Sequence, residues 1–166
     1  MENGDTLIIK AARIANELHK GQFRKSGHVA YIIHPIRVAG AVAAHPLSTV
    51  EMVSAAFLHD TIEDTSYSKD QMLCDFGSDI TNLAVELTNV EKNMELSREE
   101  RKKIDRNRIK IISRKAKIIK MFDRIDNLYD LKDHSIKFIR IYLKESKLLL
   151  EEALTGTDEI CELLYR

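Results

Sequence analysis

Four ionisable side chains follow one another closely at the end of an apolar run. Residues 57–66 read Phe-Leu-His-Asp-Thr-Ile-Glu-Asp-Thr-Ser, which places His59 beside Asp60 and puts Glu63 and Asp64 one turn further on. An imidazole nitrogen next to a carboxylate is a mixed donor set suited to a divalent cation that also holds phosphate oxygens. The second acidic pair exceeds what one ion needs and could orient an attacking water. Taken alone, a His-Asp dipeptide is more often a helix end followed by a solvated acidic turn.

Two further candidate residues lie in predicted helices. His34 is followed by Pro35, which is tolerated in the first turn of a helix, and apolar residues at helical spacing continue from there. Asp123 lies in a helix whose apolar face is predicted from Ile118, Ile119, Phe122, Ile125 and Leu128. Asn127 stands four residues after Asp123 and therefore projects from the same side of that helix.

Several sequence words around these residues occur together and in order. They are Gly21-Gln22-Phe23-Arg24-Lys25-Ser26-Gly27, Tyr31-Ile32-Ile33-His34-Pro35 with Val38-Ala39, Leu58-His59-Asp60-Thr61-Ile62-Glu63-Asp64-Thr65, Phe76-Gly77, and Asp123-Arg124-Ile125-Asp126-Asn127-Leu128. The order His, His-Asp, Asp is that of the metal ligands in the HD phosphohydrolase superfamily. The flanking words resemble, more narrowly, the alarmone hydrolase domain of the Rel/SpoT family.

The resemblance implies an all-α, compact multi-helix fold and hydrolysis of the 3′-pyrophosphate of guanosine tetra- or pentaphosphate to GDP or GTP. It implies one metal ion, Mn²⁺, held by His34, His59, Asp60 and Asp123, with Glu63 and Asp64 acting in turnover. It also implies that Arg24 and Lys25 line the nucleotide pocket and that Asn127 contacts the sugar-phosphate region. Considered as donors alone, two imidazoles and two carboxylates suit Zn, Fe, Ni or Mn, and open positions for water and phosphate favour a six-coordinate ion such as Mn.

Two alternative functions stay open at this point. The site could remove a phosphate from NADPH or another nucleotide, as resemblance to the small alarmone hydrolases, including the animal homologue of SpoT, permits. The domain could instead sense the alarmone without turning it over. A sensing module is expected to have lost a metal ligand or the Glu-Asp pair, and this chain contains all six residues.

Length, composition and charge limit the classes of protein that fit. The 166 residues are 44% hydrophobic, which suits one domain over residues 1–166. We interpret Cys74 and Cys161 as buried small hydrophobes. Because the sequence shows no signal peptide and no long apolar span, we expect a cytoplasmic protein without membrane contact.

Residues 91–120 hold 12 Lys or Arg against 5 Asp or Glu. Because both signs mix there at helical spacing, a solvated helix face is favoured over a nucleic-acid site, and the expected ligand is a small nucleotide.

The remaining hydrophobic pattern predicts helices and no strand of useful length. In the first half of the chain the predicted features are a first helix from Thr6 to Lys20 capped by Asp5 or Thr6, a loop over residues 21–31, and a third helix opened by a capping box from Ser48 to Glu51. A second capping box, from Ser68 to Gln71, opens a short helix that stops at Gly77 and is followed by another. The segment from Ser97 to Glu100 starts a basic helix, the pattern restarts near Ser113, and a long last helix is followed by a short one after Gly156. The small residues Ser54, Ala55 and Ala56 should allow close helix packing.

The other histidines are interpreted more conservatively. His19, His28, His45 and His134 are expected at the surface or in caps. His19 also matches a histidine of the family's sequence words, so we expect for it a structural role or one that supports the metal ligands.

Overall fold

The computed structural model describes residues 4–25, 28–89 and 95–154, and the regular elements within these ranges are helices. The one β-type contact among them is an isolated bridge between Phe23 and Ala30. The all-α fold class is therefore confirmed. The chain divides into two compact units, residues 1–88 and residues 89–166, while one domain over residues 1–166 stays a prediction. Within the described ranges no helix is long and apolar enough to cross a membrane.

The first unit is arranged around its third helix. It contains α1 (Gly4–Leu18), α2 (Ile33–Ala43), α3 (Val50–Leu58), the single-turn α4 (Thr61–Asp64) and α5 (Lys69–Leu87). Helix α3 packs against α1, α2 and α5, and its residues Ser54, Ala55 and Ala56 are fully buried. Side chains this small let the helix axes approach closely. The prediction of close packing at this point is confirmed.

Several helix ends differ from the sequence prediction. Helix α1 includes Gly4 and ends at Leu18, two residues before the predicted end, because the chain turns there towards Gly21, whose φ is 79°. Helix α3 is capped by Thr49, whose side chain accepts a hydrogen bond from the backbone N–H of Met52. The predicted cap, Ser48, is wrong because its own N–H donates to the carbonyl of His45 in the preceding turn.

The helix starts predicted at Ser68 and Ser97 and the break predicted at Gly77 are confirmed. Ser68 with Gln71, and Ser97 with Glu100, form complete capping boxes at the starts of α5 and α6. The predicted break at Gly77 appears inside α5, where this residue has φ 75° and ψ −178°. This backbone conformation is essentially restricted to glycine.

The described part of the second unit, residues 95–154, contains three long helices. They are α6 (Arg98–Ile111), α7 (Arg114–Tyr129) and α8 (Ile136–Glu152), with a 3₁₀ turn at Asp130–Asp133 before α8. Its core is built from Ile109, Met121, Leu149, Ala153 and Leu154. Two ion pairs join α6 to α8, Arg98 to Glu145 at 2.6 Å and Arg106 to Glu152 at 3.0 Å. The basic stretch is thus partly neutralised by α8, and the short helix predicted after Gly156 lies outside the described residues.

The burial predicted for Cys74 is wrong. Cys74 is exposed on α5, because the buried face of this helix is formed by residues four apart, Met72, Phe76 and Ile80. Cys74 lies between the first two and so points away from them. Cys161 lies outside the described residues.

Substitutions at two glycines should change stability in opposite directions. Gly77→Ala places a side chain on a backbone that favours glycine, although no atom lies within 4 Å of the added Cβ, so strain alone should cost about 1–3 kcal/mol of unfolding free energy. Gly40→Ala adds a methyl group inside α2, again with no atom within 4 Å, and should stabilise by about 0.5–1 kcal/mol. Urea unfolding of both variants checks this, and equal signs would contradict the argument.

Candidate active site

The candidate site in the first unit begins at the corner between α3 and α4. Helix α3 ends at Leu58, and His59 and Asp60 form the link to the short α4. The buried hydroxyl of Thr61 donates to the carbonyl of Leu58 at 2.7 Å, and the N–H of Asp64 donates to the carbonyl of Asp60 at 2.9 Å. These bonds satisfy backbone groups that a helix end leaves without partners. The corner therefore holds His59 and Asp60 on a fixed backbone.

Three donor atoms converge at this corner. The Nε2 atoms of His34 and His59 are 3.2 Å apart. Asp60 Oδ2 lies 3.1 Å from His59 Nε2 and 3.6 Å from His34 Nε2. Both imidazoles are almost fully buried, at 1% and 2% exposure. The structure thus brings together three of the four predicted metal ligands, on α2 and at the end of α3.

The chemistry of these donors fits a divalent metal ion. His59 Nδ1 lies 2.7 Å from the carbonyl oxygen of Ala56, and since a carbonyl only accepts, Nδ1 carries a hydrogen and Nε2 presents its lone pair. If His34 Nε2 also presents its lone pair, the two nitrogens repel unless a cation or proton lies between them. Bonds of about 2.1 Å to one ion would hold neighbouring donors about 3.0–3.4 Å apart. The three residues could therefore hold one divalent ion.

Tyr31 also lies in this site, although the sequence alone did not predict a role for it. Its hydroxyl donates to Asp60 Oδ2 at 2.6 Å and lies 3.3 Å from Asp64 Oδ2. Burial, together with the charge and hydrogen bond of Asp60, raises the pKa of this phenol well above its usual range. The available signal was its position three residues before His34, at the end of the predicted loop.

His19 packs against Tyr31 and is buried. Its predicted location at the surface is therefore wrong. Its ring is 2% exposed and packs on the ring of Tyr31 with centroids 4.7 Å apart. His19 Nδ1 lies 2.8 Å from Gln22 Oε1, and the Gln22 amide donates to the backbone carbonyl of Asp64 at 3.2 Å. His19 and Gln22 thus connect the end of α1 to α4.

The loop before α2 carries two basic residues, Arg24 and Lys25, that were predicted to bind the substrate. One of them, Arg24, lies at the site. The guanidinium of Arg24 lies 5.5 Å from the ring centroid of Tyr31, and Lys25 is exposed at the next position. On α4, Glu63 is half-buried and Asp64 is exposed. The first unit therefore gathers Arg24, Tyr31 and the acidic turn around the converging donors.

Asp123 and Asn127 belong to the second unit, on α7. The buried carboxylate of Asp123 accepts from the Asn127 amide at 2.5 Å through Oδ1 and pairs with Lys120 at 2.9 Å through Oδ2. Burial by itself lowers the pKa of the Lys120 ammonium, but its pairing with Asp123 outweighs that effect and raises it. Sequence reasoning missed Lys120, although its position three residues before an aspartate predicts contact on a helix.

The chain belongs to the HD domain family, which residues 11–147 match. Within that class it is 36% identical over 135 residues to guanosine-3′,5′-bis(diphosphate) 3′-pyrophosphohydrolase MESH1 of Xenopus tropicalis, covering 80% of this chain and 73% of the relative. It is also 36% identical over 121 residues to the Haemophilus influenzae protein described as guanosine-3′,5′-bis(diphosphate) 3′-pyrophosphohydrolase, of which it spans only 18%.

The fold agrees with this membership. A solved structure of a metazoan ortholog of SpoT, described as hydrolysing ppGpp, superposes with a TM-score of 0.84 at 26% identity. The match covers 98% of this chain and 93% of that one. The resemblance inferred from the sequence words is confirmed.

Removing one converging imidazole should sharply weaken metal binding. His59→Ala deletes a buried donor between the other two, and we expect the affinity for a divalent ion to fall at least about tenfold. Metal analysis of the purified variant, with circular dichroism as a check on folding, measures this. His28→Ala removes an exposed histidine and should leave the metal content unchanged; full occupancy in a folded His59→Ala variant would rule out this site.

Proposed function

We propose that this protein is a metal-dependent hydrolase that removes the 3′-pyrophosphate from guanosine tetra- or pentaphosphate, releasing pyrophosphate and leaving GDP or GTP. The observation that carries the proposal is the convergence of His34, His59 and Asp60 beside an acidic turn. Membership of the HD domain family and the likeness to MESH1 support the same reaction and substrate.

We propose Mn²⁺ as the ion and Asp123 as its fourth ligand. Asp123 stands at the last acidic position of the His, His-Asp, Asp order, and its carboxylate is held in one orientation by Lys120 and Asn127. Two carboxylates, with open positions for water and phosphate oxygens, suit a six-coordinate ion such as Mn²⁺. When bound, such an ion supplies positive charge that offsets phosphate oxygens and promotes ionisation of water.

Glu63 and Asp64 are proposed to act on the attacking water. They follow the converging donors by one turn, on α4, and the Tyr31 hydroxyl that donates to Asp60 also lies 3.3 Å from Asp64 Oδ2. A carboxylate at this position can orient the water and accept its proton while the water oxygen bonds to the phosphorus attached to the ribose 3′-oxygen. The bond between that phosphorus and the 3′-oxygen breaks, and the 3′-oxygen takes up a proton as GDP or GTP leaves.

Arg24, Lys25 and Asn127 are proposed to bind the nucleotide. Arg24 offers a planar, permanently charged group beside an aromatic ring, an arrangement suited to a phosphate or to stacking on a purine. Lys25 adds an exposed charge at the next residue. Asn127, whose amide supports Asp123, is assigned to the sugar-phosphate region.

The direct test is product identification with a nucleotide panel. Purified protein with Mn²⁺ and guanosine tetraphosphate should yield GDP and pyrophosphate in equal amounts, and removal of the metal by a chelator should stop the reaction. NADPH is assayed in parallel for release of orthophosphate. Orthophosphate from NADPH without pyrophosphate from the alarmone would overturn the proposed substrate, and no turnover of any nucleotide would overturn the enzymatic function.

Two carboxylate variants should separate turnover from metal binding. Glu63→Gln removes a charge outside the proposed ligand set, so Mn²⁺ affinity should remain within about twofold while kcat falls about 100-fold or more, as expected for loss of a general base. Asp123→Ala should lose both the metal and the activity. Calorimetric Mn²⁺ titration and steady-state kinetics distinguish them. Near wild-type hydrolysis by both Glu63→Gln and Asp64→Asn would show that the acidic turn is not catalytic.

A further inference from the structure

We infer that Tyr31 is a positioning residue: its hydroxyl hydrogen fixes the metal-facing oxygen of Asp60 close to Asp64. All the contacts behind this inference lie within the first unit. This inference rests on the proposed function only for the roles of Asp60 and Asp64 in the reaction. The contacts of Tyr31 with these residues are the same whichever nucleotide is the substrate.

The first argument concerns the oxygen that Tyr31 contacts. Asp60 Oδ2 accepts the phenol hydrogen at 2.6 Å, and it is this same oxygen that lies 3.1 Å from His59 Nε2. A carboxylate oxygen has two lone pairs, so it can accept the phenol hydrogen with one and face the converging donors with the other. A hydrogen bond of this kind fixes the rotamer of the carboxylate.

The second argument concerns the two carboxylates. Asp64 Oδ2 lies 3.3 Å from the same hydroxyl, so the Asp60 and Asp64 oxygens are within about 6 Å of each other, a range at which like charges repel. Tyrosine carries one hydroxyl hydrogen, and the shorter contact assigns it to Asp60. The Tyr31 hydroxyl therefore lies next to both carboxylates. One belongs to Asp60, a proposed metal ligand, and the other to Asp64, a member of the proposed turnover pair.

The third argument is that Tyr31 is itself held rigidly. Its ring packs on His19 and makes a T-shaped contact with the ring of His34, with centroids 5.9 Å apart. Its backbone N–H donates to the carbonyl of Gln22 at 2.9 Å. A side chain fixed by packing and hydrogen bonds on several sides can transmit its own position to the groups it contacts.

The test uses Tyr31→Phe, which keeps the ring and its packing and removes only the hydroxyl. Mn²⁺ affinity of the folded variant, titrated without nucleotide, should fall about tenfold. At saturating Mn²⁺, kcat for the alarmone should fall by about tenfold or more while KM changes less than about twofold. Tyr67→Phe is the matched control, because it removes a hydroxyl that donates at 2.7 Å to Asp75, outside the site; its Mn²⁺ affinity, kcat and KM should equal those of the wild type.

The outcomes separate this inference from the proposed function. If the wild type does not hydrolyse the alarmone, the proposed function fails, and the Mn²⁺ titration still decides whether Tyr31 positions Asp60. Unchanged Mn²⁺ affinity in a Tyr31→Phe variant of wild-type thermal stability would overturn the inference. A raised KM with unchanged kcat would also overturn it, since that pattern belongs to a residue that contacts the substrate directly.

Discussion

The close approach of two buried imidazole nitrogens is the constraint on which the first unit depends. A separation of 3.2 Å between His34 and His59 requires their helices to pack closely, and the small side chains of α3 permit this. The carbonyl of Ala56, 2.7 Å from His59 Nδ1, places the hydrogen of His59 on that nitrogen. The α3 backbone thus sets both the position and the tautomer of this donor.

Sequence reasoning reached the residues whose chemistry and local spacing are distinctive. A His-Asp pair alone does not define a metal site. His34, His59 and Asp60 could be named because Asp123 completes the order His, His-Asp, Asp and because the flanking sequence words match those of a known family. Tyr31 could not be assigned a role because its contacts with Asp60 and Asp64 form only when the loop before α2 folds against the α3–α4 corner. The cap at Thr49 was missed for a smaller reason, since Ser48 and Thr49 are both good caps and the preceding turn decides between them.

The two aspartates proposed as ligands are held by different kinds of contact. Asp60 is fixed from outside its own segment, by a hydroxyl 29 residues away in sequence. Asp123 is fixed by Lys120 and Asn127, which lie one turn before and after it on the same helix. Helical spacing predicts the second arrangement directly. The first depends on tertiary packing of the loop before α2 against the α3–α4 corner, so sequence spacing does not predict it.

The hydrogen bonds of the α3–α4 corner have a consequence for how long the protein survives in a cell. Because Thr61 and the backbone set His59 and Asp60 in place during folding, an ion would bind the folded chain far better than the unfolded one. Each tenfold rise in free ion above its dissociation constant would then add about 1.4 kcal/mol to stability. Cellular supply of the metal would in this way govern the susceptibility of the chain to proteolysis and hence its abundance.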